Sequence, residues 1–288
     1  MKTYQHLIVL ACLGGGMLAC GNDDLDELRS CTPPEEIRLD CDLSPTNVSM
    51  NIETQEDIDA LCQQDCGYAS GVLVDTRGFR VIEGPEILQE VERLRIAVSR
   101  YELEEIHGFN GLRYLDNLSI GSTGADAVLH TVEGFEGLEQ IRSFRIEGMT
   151  SLEQVPIPEN LRILGDPDAP VEPPLYTGGA LFMNRLDVEN LMSLSQLEHL
   201  SAIDLKNNAE LRTLEGLEDF ELIRAIAIFN SPKLHTLEHL SSLRRIHFLS
   251  LRDLPNIRYC EVDALLEQLD EPPERLSLNG LSNAPCDD

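Results

Sequence analysis

The amino-acid sequence predicts a mainly β solenoid of about eight or nine stacked coils with short helical caps. Two observations lead to this fold class. A pair of apolar residues flanking one variable residue recurs along the chain, most often at intervals of about 23 residues. Behind each pair, a second apolar series advances in steps of three residues. A single coil cannot bury these side chains, whereas stacked coils share one continuous core.

Each apolar pair is predicted to form a short strand with both apolar side chains directed inward. The pairs are Val72/Val74, Leu94/Ile96, Leu118/Ile120, Phe144/Ile146, Leu181/Met183, Ile203/Leu205, Ile226/Ile228, Leu249/Leu251 and Leu276/Leu278. One interval, the 37 residues from Phe144 to Leu181, is much longer than the others. It contains the proline-rich stretch Gly165 to Pro174, which we interpret as an insertion between two coils.

The second apolar series, as in Leu211, Leu214 and Leu217, has two interpretations. An amphipathic helix is one, but the strict three-residue step favours flat solenoid turns. Small or amide-bearing residues stand two positions after several strands. They are Ser122, Gly148, Asn207, Asn230 and Asp253, and we interpret them as turn residues rather than as a ligand rim.

Short helices are predicted to close both ends of the solenoid. At the start, Thr54 is a suitable N-cap and Asp57 stands at the third helical position, as in a capping box. At the other end, residues 262–269 form an apolar-faced segment that Pro272 and Pro273 terminate. Such caps shield the open edges of a stack of strands.

The first 19 residues resemble a lipoprotein signal peptide. Lys2 precedes the apolar run from Leu7 to Leu13, and the segment ends in Leu-Ala-Cys20-Gly21, similar to the lipobox of bacterial lipoproteins. The resemblance implies lipidation of Cys20, so that residues 20–44 form a tether and the lipid is the only membrane contact. A short transmembrane anchor is the alternative, but three glycines interrupt the run. Gly21 favours the outer membrane of the cell envelope.

The remaining six cysteines predict disulfides, because their number is even and the chain is expected to be exported. They cluster at the two ends of the chain, which predicts the pair Cys260 with Cys286. For the others we predict the local pairs Cys31 with Cys41 and Cys62 with Cys66. Zinc is the alternative for the last pair, although no second ligand pair lies nearby.

Charge and motifs exclude several classes of function. The chain has 22 basic and 51 acidic residues and a formal net charge of −29, which argues against nucleic-acid binding. The sequence contains no nucleophile elbow, phosphate-binding loop or metalloprotease motif, so no catalytic residue, metal ligand or cofactor is predicted.

The segment from Asn47 to Cys66, the following Gly71-Val-Leu-Val74 and the closing Leu276-Ser-Leu278 resemble receptor L domains. Repeated Gly-Leu/Phe-x-x-Leu-x-x-Ile blocks extend the likeness over about residues 45–286, so residues 45–288 are predicted to be one L-domain-like solenoid with its caps. The resemblance implies a right-handed parallel β-helix of leucine-rich-repeat-like character and extracellular ligand recognition. The receptors' cysteine-rich module, transmembrane helix and kinase are not found in this sequence, so a signalling role is not implied.

The expected function is that of a non-enzymatic envelope lipoprotein whose solenoid face binds a protein or peptide ligand. The candidate contacts are the residues between the members of an apolar pair, namely Arg95, Ser119, Arg145, Asp204, Ala227 and Ser250. One alternative is a structural or adhesive protein that self-associates. Another is a polysaccharide-processing β-helix enzyme, which would need several charged groups gathered on neighbouring coils.

Overall fold

The computed structural model describes residues 27–28, 49–54, 56–57, 60, 68–77, 79–98, 102–122, 127–169 and 179–286. These residues form seventeen strands and the α-helix α1 (Tyr259–Glu267), and Glu56, Asp57 and Ala60 are also helical. The strands are β1 (Glu27–Leu28), β2 (Ser49–Ile52), β3 (Tyr68–Ala69), β4 (Gly71–Asp75), β5 (Val81–Gly84), β6 (Glu90–Ala97), β7 (Glu105–Gly108), β8 (Tyr114–Gly121), β9 (Thr131–Val132), β10 (Gln140–Glu147), β11 (Ile163–Leu164), β12 (Leu181–Asn184), β13 (His199–Leu200), β14 (Ala202–Lys206), β15 (Ala225–Phe229), β16 (Phe248–Arg258) and β17 (Arg275–Ser282).

The large sheet is a parallel ladder in which β2, β4, β6, β8, β10, β12, β14, β15, β16 and β17 follow one another in chain order. All nine predicted apolar pairs are aligned in this ladder. Phe144, for example, lies opposite Leu118 on one side and Leu181 on the other. This alignment confirms the predicted parallel β-solenoid, and Met50 with Ile52 extends the same columns by one strand.

A single elongated core fills the interior. The inward residues Leu118, Ile146, Leu205 and Ile228 all belong to one buried cluster that extends from Ile52 to Leu281. Each of these four side chains is at most 2% exposed. Because adjacent coils supply neighbouring side chains, each coil packs on the one before and the one after it, as the repeat pattern predicts.

The side of the solenoid opposite the large sheet differs along the axis. In the first coils it is a small parallel sheet in which β1, β5, β7 and β9 are neighbours. In later coils the three-residue steps form short 3-10 turns at Met192–Gln196 and Glu238–Leu240. The predicted flat turns are therefore found in the later coils, whereas the first coils use strands.

A column of left-handed backbone follows the large sheet, which confirms the turn interpretation for four of the five residues proposed. Gly148, Asn207, Asn230 and Asp253 have φ of 74°, 55°, 51° and 54°. Arg185, with φ 57°, belongs to the same column, and nothing in its residue type indicated a turn. Glycine, asparagine and aspartate adopt this conformation at a lower cost than other residues, which explains why they recur there.

The proline-rich insertion interrupts a strand and does not lie between two coils as predicted. Both β11 and β12 pair with β10: Ile141 lies opposite Leu164, and Phe144 lies opposite Leu181. One strand position is therefore divided, because β11 ends at Leu164 and β12 begins at Leu181. In the next coil, β13 and β14 occupy the same two positions with only Ser201 between them.

The structure shows the capping-box contact near the start and a helix near the end. Near the start, the Asp57 carboxylate accepts hydrogen bonds from the Thr54 backbone N–H and hydroxyl at 2.8 and 2.9 Å, as a capping box predicts. Near the end, α1 begins three residues earlier than predicted and buries Val262 and Leu265. It lies between β16 and β17 in the chain, so β17 is the last strand of the ladder.

The predicted disulfide between Cys260 and Cys286 is present, with a Cα–Cα distance of 6.2 Å, and it ties α1 to the end of the chain. The other cysteine predictions lie outside the described residues. This applies to lipidation of Cys20 and to the pairs Cys31 with Cys41 and Cys62 with Cys66.

Candidate recognition surface

The six predicted contact residues lie in one row across the outer face of the large sheet, which we call the outer row. Arg95, Ser119 and Arg145 are register neighbours on β6, β8 and β10. Asp204, Ala227 and Ser250 are register neighbours on β14, β15 and β16. Phe182 on β12 joins the two groups, since it lies opposite both Arg145 and Asp204.

The two ends of the outer row differ in exposure. Arg95 and Arg145 are exposed, as predicted. Asp204, Ala227 and Ser250 are only 5%, 1% and 0% exposed, so their side chains point outward but offer almost no contact area. These three residues are therefore corrected from direct contacts to a buried floor.

Larger side chains on the neighbouring outward positions surround this floor. On one side of the outer row, the larger residue is Phe248, which packs with Phe182 against a small buried cluster that includes Ala202 and Ala225. On the other side stand Lys206, Phe229 and Arg252, one on each of the strands β14, β15 and β16. A short side chain between longer neighbours loses its solvent contact, which explains the burial of Ala227.

Three cations in this region lie over aromatic rings. The Arg145 guanidinium carbon is 4.5 Å from the ring centroid of Phe182. Lys206 Nζ and the Arg252 guanidinium carbon lie 5.5 and 5.4 Å from the Phe229 centroid. Each cation is on the strand adjacent to its ring, where cross-strand pairs meet. We call the five residues Arg145, Phe182, Lys206, Phe229 and Arg252 the aromatic–cation patch.

Sequence reasoning missed four of these five residues. Phe182 occupies the same position between apolar residues as the six predicted contacts, so the repeat pattern itself could have identified it. Lys206, Phe229 and Arg252 stand one residue after an inward residue, and alternation along a strand places that position on the outer face as well. An aromatic residue at such an outward position was the available signal.

Buried polar atoms on the floor are incompletely paired. Lys206 Nζ donates to Asp204 Oδ2 at 2.8 Å, whereas Asp204 Oδ1 and Ser250 Oγ have no hydrogen-bond partner among the described residues. Unpaired buried oxygens destabilise a fold by about 1–3 kcal/mol each. The buried layer on the outer face of the sheet therefore contains polar oxygens, whereas the interior of the solenoid is apolar.

A ladder of amides borders the patch. Asn230 Nδ2 donates to Asn207 Oδ1, and Asn207 Nδ2 donates to Asn184 Oδ1, both at 2.9 Å. Asn184 in turn donates to Glu147 Oε1 at 2.7 Å, and Arg185 forms an ion pair with the same oxygen at 3.1 Å. This chain of contacts fixes the turns that follow β10, β12, β14 and β15.

The described start of the insertion lies against the coils that follow it. The Asp166 carbonyl accepts hydrogen bonds from Ser201 Oγ at 3.3 Å and from Arg224 at 2.6 Å. His199 Nε2 lies 2.8 Å from the same Ser201 hydroxyl. Burial lowers the pKa of His199 below its ordinary value, and the charge of Arg224 acts in the same direction.

Other charged groups pair on the surface. A hydrogen bond from the Arg77 side chain lowers the pKa of Asp75, and one from Arg80 lowers the pKa of Glu104. Within the described ranges, no three His, Cys, Asp or Glu residues are grouped so as to hold a metal ion. No helix among the described residues is both long and apolar enough to span a membrane.

Comparison with known proteins gives no relative for this chain. No family model matches it, and neither a curated protein nor a solved structure does.

Proposed function

We propose that the chain is a non-enzymatic cell-envelope lipoprotein whose large sheet recognises a protein or peptide ligand at the aromatic–cation patch. The supporting observation is the patch itself, because aromatic residues and arginines are enriched at protein interfaces, and arginine is frequent among the residues that dominate their binding energy. Ten parallel strands at a spacing of ~4.8 Å give a face about 40 Å long, enough for an interface of ordinary size.

The anchor and the repeat type belong to the same proposal. Lipidation of Cys20 would hold the solenoid at a bacterial membrane, with the outer membrane favoured by Gly21. The receptor L-domain likeness, and with it a leucine-rich-repeat-like character, is supported by inward leucines that recur at about 23 residues. Mass spectrometry of the membrane-extracted chain tests the anchor: the native chain should carry a lipid on Cys20, and Cys20→Ala should not.

Affinity capture from a surface extract tests the recognition surface. The full-length chain in detergent should retain partners that a Phe182→Ala/Phe229→Ala variant loses, because the variant removes both rings and the support of three cations. Tyr114→Ala is the matched control, since Tyr114 is 50% exposed and lies outside the patch. Identical partners for all three proteins would refute the proposed surface.

Self-association is the second candidate function, and the last strand favours it. Leu276 faces inward in register with Leu249, yet it is 46% exposed, whereas Leu249 is fully buried. Strand β17 carries one charged residue, and its far edge pairs with no other described strand. Exposed apolar edges pair readily with other strands. If this function holds, light scattering should show an oligomer that Leu276→Lys converts to a monomer.

A further inference from the structure

Eight of the 18 Lys and Arg residues in the described ranges are bound to carboxylates in this acidic chain. Eight such pairs connect Arg or Lys with Asp or Glu within 3.3 Å. They are Arg77–Asp75, Arg80–Glu104, Arg142–Asp116, Arg185–Glu147, Lys206–Asp204, Arg212–Glu189, Lys233–Glu210 and Arg258–Glu261.

Two cations of the aromatic–cation patch differ from these eight. Within the part of the chain that the structure describes, neither Arg145 nor Arg252 has a carboxylate at ion-pair distance. Arg145 lies over Phe182, and Arg252 lies over Phe229 and donates to Ser277 Oγ at 3.2 and 2.9 Å. Both side chains are exposed, so each guanidinium keeps donors available to a ligand.

The aromatic rings also restrict both guanidinium groups before a ligand arrives. A flexible arginine loses side-chain freedom on binding, and a side chain that already lies on a ring loses less of it. The carboxylates nearest in register do not compete for these arginines. Glu147 is bound by Arg185 and Asn184, and Asp204 is buried and bound by Lys206.

The spacing of the two arginines sets the length of the ligand. Arg145 is on β10 and Arg252 is on β16, four strand positions away along the ladder. Strands at a spacing of ~4.8 Å place the two side chains roughly 20 Å apart across the sheet. An extended peptide advances ~3.3 Å per residue, so it covers this distance in about six residues.

We infer that the ligand of the aromatic–cation patch is an extended acidic segment of a protein, with carboxylates about six residues apart that bind Arg145 and Arg252. This inference rests on the proposed function and specifies its ligand. The floor of Ala227 and Ser250 lies between the two arginines, and its short side chains leave room for the main chain of the segment. The chain's overall negative charge repels the segment only weakly. At physiological salt the Debye length is ~8 Å, so exposed charges farther away than this are largely screened.

Fluorescence anisotropy with a labelled peptide tests the inference. The probe is a Gly/Ser-based peptide with two Glu pairs about six residues apart, and the protein is the full-length chain in detergent. We expect it to bind about tenfold more tightly than the same peptide with Gln at those positions, as two charge-assisted contacts predict. A peptide with all four glutamates adjacent should bind more weakly than the spaced peptide, because it reaches only one arginine.

The variant Arg145→Gln/Arg252→Gln should remove the preference for Glu over Gln, whereas the control Arg77→Gln/Arg212→Gln should keep it. Circular dichroism checks that both variants remain folded. Equal binding of the Glu and Gln peptides, or an unchanged preference in the Arg145/Arg252 variant, overturns the inference. So does binding of polygalacturonate in place of the peptide, since the ligand would then be a polysaccharide.

This test separates the inference from the proposed function. If surface partners are still lost on Phe182→Ala/Phe229→Ala while the acidic peptide does not bind, the recognition surface stands and the acidic ligand is wrong. If neither partners nor peptide depends on the patch, both proposals fail.

Discussion

The two halves of the solenoid share an interior but differ on both outer sides. In the first half, residues 68–164, the inward pairs are Val, Leu, Ile and Phe, and in the second half, residues 179–282, they are Leu, Ile and Met. Each inward residue from Val72 to Leu251 is at most 2% exposed. Packing in the interior is therefore equivalent in the two halves, although no two coils have the same sequence.

The side opposite the large sheet is supported by different means in each half. In the first half, β5, β7 and β9 form strands, and the rings of Phe109 and Phe135 stack with centroids 5.1 Å apart. Gly108 and Gly134 precede these rings with φ of 84° and 99°. A Cβ at Gly134 would lie 2.1 Å from the Gly108 carbonyl oxygen, so the stack of coils requires glycine there. The second half uses short 3-10 turns.

The outer face of the large sheet differs too. Arg95 and Ser119 stand singly at one end of the outer row, whereas from Arg145 onward the row borders a buried floor edged by phenylalanines and cations. The comparison teaches that the repeat constrains the inward positions and the turns more strongly than the outward positions. Outward positions can vary without loss of the fold, so the aromatic–cation patch, which begins at Arg145 and lies mostly in the second half, points to function.

The largest expected effect concerns the shared interior. Leu118→Ala in the first half and Ile228→Ala in the second should each lower the free energy of unfolding by about 2–5 kcal/mol, because both substitutions leave a cavity. Denaturant titration measures this loss. Ser119→Ala, one residue from Leu118 and directed outward, is the control and should change little. A loss in one half only would show that the interiors are not equivalent.

Removal of the disulfide between Cys260 and Cys286 should destabilise the second half and leave the first half unchanged. Cys260→Ser/Cys286→Ser opens a loop with a sequence separation of 26 residues and should lower the free energy of unfolding by about 3 kcal/mol. Hydrogen exchange should show the loss of protection in α1 and β17, with β6 and β8 unaffected under native conditions. Equal loss of protection in β6 would contradict this localisation.

Asn207 tests the amide ladder, which occurs in the second half. Asn207→Ala removes two side-chain hydrogen bonds. It also places alanine, which tolerates a left-handed backbone less well than asparagine, at φ 55°. We expect the free energy of unfolding to fall by about 2 kcal/mol. Asn207→Gly removes the same bonds but tolerates the backbone, so we expect about half that loss. Thermal or urea unfolding distinguishes the two. Equal losses would mean that the backbone conformation contributes nothing.

The smallest effect is a pH dependence at the insertion. The folded pKa of His199 is lowered, so the folded state favours the neutral ring and the unfolded state binds the proton more readily. His199 therefore leaves stability unchanged above about pH 6.5 and reduces it as the pH falls from there through the lower folded pKa. In His199→Gln, the drop in Tm between pH 7 and pH 5 should be smaller than in the native chain. His235→Gln, at an exposed histidine, should not alter that drop.

The inward columns were predictable because their signal is repeated. Nine pairs at a near-constant interval predict the register of the large sheet, and even a degenerate pair such as Phe144/Ile146 is aligned by its neighbours. Turn residues were predictable where glycine or asparagine marks a left-handed backbone. Arg185 was not, because its conformation is imposed by the adjacent coils and its side chain has no preference for it.

The candidate site was less predictable, because position on a strand does not determine exposure. Asp204 and Arg145 occupy equivalent outward positions, yet Asp204 is 5% exposed and paired with Lys206, whereas Arg145 is exposed. The position of the insertion could not be predicted either, because an interval of 37 residues is compatible both with extra residues that divide a strand and with extra residues that separate two coils. Strand pairing resolved that point.

The contacts of the insertion affect the order in which the coils unfold under a pulling force. In a solenoid, each coil touches only its immediate neighbours, so the stack can peel from an end one coil at a time. The Asp166 carbonyl is held by Ser201 in the next coil and by Arg224 in the coil after that. Three successive coils are thereby tied together, and a force that pulls on the chain should release them in a single larger step.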